Sequence, residues 1–402
     1  MLGWPGYRVW RHEIDEAAKK LKLWVRRKPR TQLICSGCGR AVEAIHEICE
    51  REVRDLPVFE FRATVVIELY RLRCPDCGPK MERVEQLPSK APFAKRFEEA
   101  VGQCCESAPA RQVARQFGLA QSTVRVIDLR YLERWSAARK QPPLRQMGVD
   151  ETYLGKKRKF VTVVSNLETG EPLFIEPERK KETLDRFFEQ ELSAAQRHRI
   201  EAACVDMWVP FRLSIEQWAP NCRIVYDKFH IMQHANRAID EVRRAEFFRQ
   251  GGRWRGLVKG KRWLLLTRWV NLSDPRRQEL NRLFALNRKL MKAYLLKESL
   301  ERLWTYHYEG AMMNYLKRWI AQLRWQRLAP FEKLADLLVN HLEGIVNYCR
   351  TKVPMGVVEA LNANLKALTR RGRGYTNLRY LLLKAQRLTA LKTEFVVVRK
   401  AA

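Results

Sequence analysis

The sequence predicts a multidomain chain of mixed class, α/β combined with an all-α block, on three observations. Two Cys-x-x-Cys-Gly knuckles sit in a β-type N-terminal stretch. Short apolar strand candidates alternate with helix candidates between residues 146 and 226. From Ile231 to about Tyr348 the pattern turns almost wholly helical and rich in Arg, Lys and Trp. At 402 residues there is room for two to three domains of roughly 100–200 residues each. With 46% hydrophobic residues the chain can bury a core, which excludes wholesale disorder.

The first element is a cysteine framework over residues 1–90. Cys35-Ser-Gly-Cys38 and Cys74-Pro-Asp-Cys77 are followed by Gly39 and Gly78. Two thiolates at this spacing grip one tetrahedral ion, and the glycine lets the backbone turn back under the sulfurs. The β-type stretch Val58–Arg73 brings the second knuckle beside the first, which predicts a structural Zn²⁺. A redox Cys-x-x-Cys is disfavoured because no βαβ pattern lies nearby. Cys49, Cys104, Cys105, Cys204, Cys222 and Cys349 lack such spacing and read as core or incidental thiols. Met1–Lys20 has no apolar signal region, and no apolar run approaches the ~18–20 residues of a membrane span. The expectation is a cytoplasmic protein with reduced thiols and no membrane partner.

The second element, residues 91–140, reads as a helix-turn-helix. Ala110–Phe117 and a helix from Gln121 to Trp135 flank Gly118 at the turn. Ala114 lies where the helices touch, and Val124 packs inward. Gln121, Ser122, Thr123 and Arg125 then face outward at the start of the second helix, where base edges are read. An ordinary helical hairpin is the competing reading. The net charge of +31, from 76 Lys and Arg against 45 Asp and Glu, favours a polyanionic partner, and nucleic acid is the commonest inside a cell.

After the break Gln141-Pro-Pro143 comes the third element, residues 141–232. Strand candidates are Gln146–Asp150, Phe160–Asn166, Pro172–Glu176, Ile200–Val205 and Cys222–Tyr226. Helices are expected at Glu182–Ser193 and Val209–Trp218. Three strands, then helix-strand-helix-strand, is the element order of an RNase H-like core. The helical block, residues 233–348, looks inserted into it. Residues 349–402 return to it through helices at Val357–Leu368 and Leu378–Leu391.

Asp150 and Asp206 end the first and fourth strand candidates, and Glu359 lies on a helix after the insertion. A carboxylate at the end of an apolar strand is costly unless a cation or donor meets it. Two or three together can hold a pair of Mg²⁺ ions at roughly 3.5–4 Å separation. The competing reading is that each Asp caps the next helix. Glu151 is expected to point to the opposite face of its strand. Asp227-Lys-Phe-His230 follows the fifth strand, and His230 suits a phosphate contact, a carboxylate-orienting role or proton donation, or else a structural role.

At these residues the sequence resembles the ISL3-family transposases of bacterial insertion sequences. The resemblance is carried by the two knuckles, Arg54-Asp-Leu-Pro57, Gly148-Val-Asp-Glu151, Phe160-Val-Thr-Val-Val164, Val205-Asp-Met-Trp208, Asp227-Lys-Phe-His230, Lys261-Arg-Trp-Leu-Leu-Leu266, Val358-Glu-Ala-Leu-Asn362 and Arg370-Arg-Gly-Arg-Gly-Tyr375. Many members carry Ser/Thr-Asn-Gly before the glutamate and Gly after it, where this chain has Pro354-Met-Gly356 and Ala360. The resemblance implies a DDE enzyme with Asp150, Asp206 and Glu359 as its triad, holding two Mg²⁺ (or Mn²⁺), and His230 as an auxiliary. It implies binding of terminal inverted repeats and target DNA, with Arg370, Arg371 and Arg373 among the DNA contacts, by a homodimer or larger assembly. The rival functions are a zinc-containing transcription factor with an inactive core and a structure-specific nuclease.

Overall fold

The computed structural model describes residues 4–29, 31–87, 90–140, 142–155, 160–249, 255–256 and 258–401. Gln141 of the expected linker, and residues 250–254 and 257 of the expected helical block, lie outside them. The chain forms two compact units, Met1–Arg139 and Lys140–Ala402.

The first unit is a sheet covered by three helices. Its strands are β1 (Tyr7–Asp15), β2 (Lys20–Arg27), β3 (Ile45–Arg54), β4 (Arg62–Cys74) and β5 (Gly78–Met81). The order is β1-β2-β4-β3, with β5 pairing β4. The β2–β4 pair is parallel and the others are antiparallel. Strands β1 and β2 went unforeseen; most of the β1 residues are exposed, and Arg8, Arg11, Glu13 and Asp15 among them are charged. The helices are α1 (Lys95–Ser107), α2 (Ala110–Phe117) and α3 (Gln121–Ala138). Val25, Val65 and Ile67 of the sheet share one apolar cluster with Phe97, Val101, Val113, Val124 and Ile127 of the helices.

Arg54-Asp-Leu-Pro57 helps tie that packing together. Buried Asp55 accepts from both Arg96 Nε (2.6 Å) and Nη2 (2.5 Å) and from Trp4 Nε1 (2.6 Å). Arg54 lies 4.8 Å over the Phe97 ring and donates to the Phe117 carbonyl.

The second unit is built on a five-stranded sheet. Its strands are β6 (Gln146–Tyr153), β7 (Phe160–Asn166), β8 (Glu171–Pro177), β9 (Ala202–Val205) and β10 (Arg223–Tyr226), in the order β10-β9-β6-β7-β8. β6, β7 and β8 form an antiparallel meander, while β9 and β10 run parallel to β6. Helices α4 (Lys181–Glu191), α5 (Ala194–His198) and α6 (Val209–Trp218) complete the crossovers. Then come α7 (Lys228–Arg249), α8 (Arg262–Leu266), α9 (Asp274–Leu286), α10 (Arg288–Leu300), α11 (Glu309–Arg324), α12 (Ala329–Asn340) and α13 (Leu342–Thr351). The last two are α14 (Gly356–Arg371) and α15 (Leu378–Ala401). α7 runs continuously through residues 232 and 233, where the helical block was expected to begin.

Alternation along the strands splits the sheet between two cores. Met147, Val149, Val164 and Phe174 pack with Phe187, Phe211, Ile231 and Ile239, in a cluster that continues into the helices up to Cys349. Val161, Val163 and Ile175 face the other way and pack with Leu361, Leu365 and Leu381 of α14 and α15. Gly148 makes this close packing possible. A Cβ there would lie 2.5 Å from Val358 Cγ2 of α14. Trp304 and Trp319 of the helical block are core residues, whereas Trp263 and Trp325 are exposed. Among the described residues, no helix is long and apolar enough to cross a membrane.

Candidate active site

The four knuckle cysteines converge in the first unit. Their sulfurs all lie within 4.8 Å of one another, and Cys38 Sγ is 3.5 Å from Cys74 Sγ. Gly39 (φ 77°) and Gly78 (φ 67°) take the left-handed turn the knuckles require. The backbone amides of Cys38 and Gly37 lower the Cys35 thiol to about 7. Burial raises the Cys74 thiol, and the hydrogen bond with Cys38 pushes Cys77 up to about 12, so the fit to a single tetrahedral Zn²⁺ rests on four sulfurs this close together. The other six cysteines are also free thiols, of which Cys105, Cys204 and Cys349 are buried.

In the same unit Gly118 ends α2 in the left-handed conformation (φ 57°), and its N–H returns to the Ala114 carbonyl. Val124 is fully buried. Gln121, Ser122 and Arg125 are exposed at the start of α3, and Thr123 is half-buried.

In the second unit the strand register lines up the acidic residues. The parallel pairs Val149↔Val205 and Tyr226↔Val205 are the last on β6–β9 and β10–β9. Asp150, Asp206 and Asp227 each follow the last residue in these parallel ladders, so they form one row across the sheet. Asp150 does not end its strand, as the sequence suggested: β6 continues to Tyr153, because its antiparallel pairing with β7 extends through Tyr153↔Phe160. His230, in the first turn of α7, stands between two members of the row. Its Nε2 is 3.4 Å from Asp150 Oδ1 and its Nδ1 3.9 Å from Asp206 Oδ1. Burial alone would lower the His230 pKa. The Asp150 hydrogen bond and the charges of Asp206, Asp150 and Asp227 outweigh it and raise the pKa. Burial pushes the Asp227 carboxyl up to about 6.

Glu359 is exposed on α14; among the described residues it does not form with Asp150 and Asp206 a group close enough to hold one ion, although its charge helps to raise the Asp227 pKa. The link is one turn further along the same helix. Asn362 Nδ2 donates to Asp150 Oδ2 at 2.6 Å and to the Glu151 carbonyl at 3.5 Å. Its side-chain oxygen is buried and has no hydrogen-bond partner. Arg370, Arg371 and Arg373 are exposed at the other end of α14, roughly 16 Å from Glu359 along the helix axis.

Glu151, expected on the opposite face of its strand, is nevertheless linked to the row. The Arg179 guanidinium, just past β8, pairs with Glu151 and reaches Asp206 Oδ2 at 2.8 Å. It also lies 4.4 Å over the Trp208 ring. Glu151 therefore belongs to the same charge network as the row. Strand alternation did not foresee this, because a long guanidinium can bridge residues whose Cβ atoms diverge. Burial raises the Glu151 pKa to about 7, against the opposing pull of Arg179. Arg179 did not stand out in the sequence, where it sits in a charged run that reads as solvated surface; Asn362 closes the Val358–Asn362 motif, but its contact with Asp150 was not foreseen.

A family model described as a transposase matches residues 147–385, which include Asp150, Asp206, His230 and Glu359. A second model, the zinc-finger of transposase IS204/IS1001/IS1096/IS1165, matches residues 31–77, which include all four cysteines. The chain is 33% identical over 391 residues to the transposase for insertion sequence element IS1001 of Bordetella parapertussis, covering 95% of each chain. The chain belongs to the ISL3 family of insertion-sequence transposases. It is also 25% identical to the transposase for insertion sequence element IS1557 of Mycobacterium tuberculosis, covering 90% of this chain and 87% of that one. In this ISL3 transposase the four-cysteine cluster is the zinc ribbon.

Proposed function

We propose that this ISL3 transposase is a DDE enzyme with an RNase H-like core, in which Asp150, Asp206 and Glu359 form the triad. The carrying observation is the acidic row: Asp150 and Asp206 on adjacent parallel strands, bridged by His230. The strand order supports the core, since a three-stranded meander extended by two parallel strands lies between two helical layers. The donor set suits hard divalent cations: Asp150 and Asp206 bring carboxylate oxygens from adjacent strands, and Asn362 beside Asp150 has a buried side-chain oxygen without a hydrogen-bond partner. Mg²⁺ or Mn²⁺, two per site, would be held by Asp150, Asp206 and Glu359. When bound they would activate the attacking oxygen and stabilise the leaving oxygen of an in-line displacement at phosphorus.

The chain's own residues have separate tasks. His230, with its raised pKa, balances the charge of Asp150 and Asp206 and can hold a proton beside the leaving group. Arg179 orients Asp206 through its 2.8 Å contact. One site serves both hydrolysis at the element ends and attack of the freed 3′-hydroxyl on target DNA, since both are displacements at phosphorus.

The zinc ribbon and the α2–α3 hairpin, read as a helix-turn-helix, would bind the terminal inverted repeats through Gln121, Ser122, Thr123 and Arg125. The net charge of +31 supports DNA as partner. Arg370, Arg371, Arg373 and the basic helices would grip the backbone. The proposed division is 1–90 zinc-binding, 91–140 DNA-binding, 141–232 and 349–402 catalytic, and 233–348 helical insertion. Two ends must be cut together, so a homodimer or larger assembly is expected in the bacterial cytoplasm, on nucleoid DNA.

The test incubates purified protein with labelled fragments of the DNA flanking its gene and Mg²⁺, alongside Asp150→Asn and Asp206→Asn. Metal-dependent nicking at a defined end, lost in both variants with end binding retained, is the expected result. Specific binding without nicking would instead indicate a DNA-binding protein with an inactive core. Equal nicking of scrambled ends would indicate a general nuclease.

A further inference from the structure

An apolar stripe lies open beside the acidic row. It begins with Trp208, two residues past Asp206 and 38% exposed, and continues onto α6 with Val209 (49%) and Leu213 (44%). Val209 and Leu213 are four residues apart, so they stand one above the other on the same helix face. Another face of α6 holds Phe211, Ser214 and Ile215 in the core. The helix thus carries apolar residues on two faces, and burial accounts for one of them. Arg179 fixes where the stripe begins. Its guanidinium lies 4.4 Å over the Trp208 ring and contacts Asp206 Oδ2 at 2.8 Å. The ring and the carboxylate share this neighbour, which puts the stripe at the margin of the proposed active site.

The surroundings of the stripe are polar. Arg212 pairs with Glu216 at 3.4 Å, and Lys181 of α4 donates to Gln217 at 2.6 Å. Exposed apolar side chains scattered singly are ordinary, but an apolar run with a polar rim marks a surface that meets a partner. A transposase acts on DNA, and DNA presents contrasting surfaces. Its backbone is anionic and offers little to bury against an indole, a valine and a leucine. Its base faces are apolar, and they reach a protein only where a base step is opened. Aliphatic side chains wedged between base pairs unstack them, and an aromatic ring takes up a freed base. An apolar stripe that borders carboxylates suited to cutting the backbone matches the base faces.

We propose that Trp208, Val209 and Leu213 form a wedge that opens the duplex beside the phosphodiester to be cut. Val209 and Leu213 enter the base step, and the Trp208 ring stacks on the displaced base. The inference rests on the DDE mechanism proposed above, to which it adds strand opening at the cleavage position.

The test uses the full-length protein, labelled end fragments and Mg²⁺. One set of fragments is fully paired, and a second carries mismatches at the base pairs flanking the cleavage position. Val209→Ser/Leu213→Ser is expected to cut paired ends about tenfold more slowly than the wild type, because the step must open without its wedge. On mismatched ends, already open, it should cut at the wild-type rate. Trp208→Ala should be slowed and rescued in the same way, and Trp208→Phe, which keeps a ring, should cut paired ends faster than Trp208→Ala. A 2-aminopurine in the uncut strand opposite that position should brighten when the wild type binds without Mg²⁺, and stay dim with the double variant. All three side chains are exposed, so unchanged melting curves should verify folding. A double variant that melts like the wild type and is equally slow on both sets, or that cuts paired ends at the wild-type rate, overturns the proposal. A double variant with an altered oligomeric state in light scattering also overturns it, by assigning the stripe to an interface between copies. If the wild type cuts neither set, the enzymatic reading itself fails; if it cuts both and the variants are indifferent to mismatches, only the wedge fails.

Discussion

Single side chains set the local energetics in both units. Asp55 is fully buried and accepts three side-chain donors, from Arg96 and Trp4, besides the Leu56 backbone N–H. Removing it strands the Arg96 guanidinium without its partner. Asp55→Ala is expected to lower the stability of the first unit by about 3–5 kcal/mol, read from denaturant unfolding. Asn362 plays the comparable part at the acidic row, orienting Asp150 and joining α14 to β6. Asn362→Leu should slow end cleavage by about 10–100-fold and raise the Mg²⁺ concentration needed, while end binding persists. Cleavage at the wild-type rate would remove Asn362 from the site. Neither residue's role was legible in the sequence, because each depends on partners 41 and 212 positions away.

At the scale of elements, the knuckles were the most legible feature. The Cys-x-x-Cys-Gly spacing encodes its own turn, and the four sulfurs do converge. Cys38→Ser is expected to lose about one zinc per chain by metal analysis, and chelation of the wild type should melt the ribbon. Unchanged zinc content would return the cysteines to free thiols. The strands of the second unit were legible to within a few residues, since apolar runs bounded by turns signal them. The end of β6 was not. Its last residues pair with β7 alone, and no local signal records where a cross-strand ladder stops. Strand β1 was missed because most of its residues are exposed at a sheet edge; β2 does alternate through Leu21, Leu23 and Val25, but these stand among Lys and Arg and so did not signal a strand.

For the whole molecule, net charge carries a prediction that does not depend on any one contact. A chain of +31 that neutralises many phosphates releases their counterions. End binding should therefore weaken by about 10³–10⁵-fold between 50 and 200 mM salt, in filter-binding or anisotropy titrations, if some 6–10 phosphates are contacted. A flat salt response would mean that the charge serves another purpose. The division of the chain also appears at this scale. One apolar cluster joins the ribbon sheet to α1, α2 and α3, and another joins the acidic-row sheet to helices as far as Cys349.

The sequence by itself determined the zinc knuckles, the basic character, the apolar strands and the acidic residues that follow them. Those properties are local or additive, carried by spacing, periodicity and charge. Only the tertiary structure decided that Asp150, Asp206 and Asp227 share one row and that His230 stands between two of them. It alone joined Glu151 to Asp206 through Arg179. Those facts depend on strand register and on long side chains bridging distant segments, which no sequence interval measures.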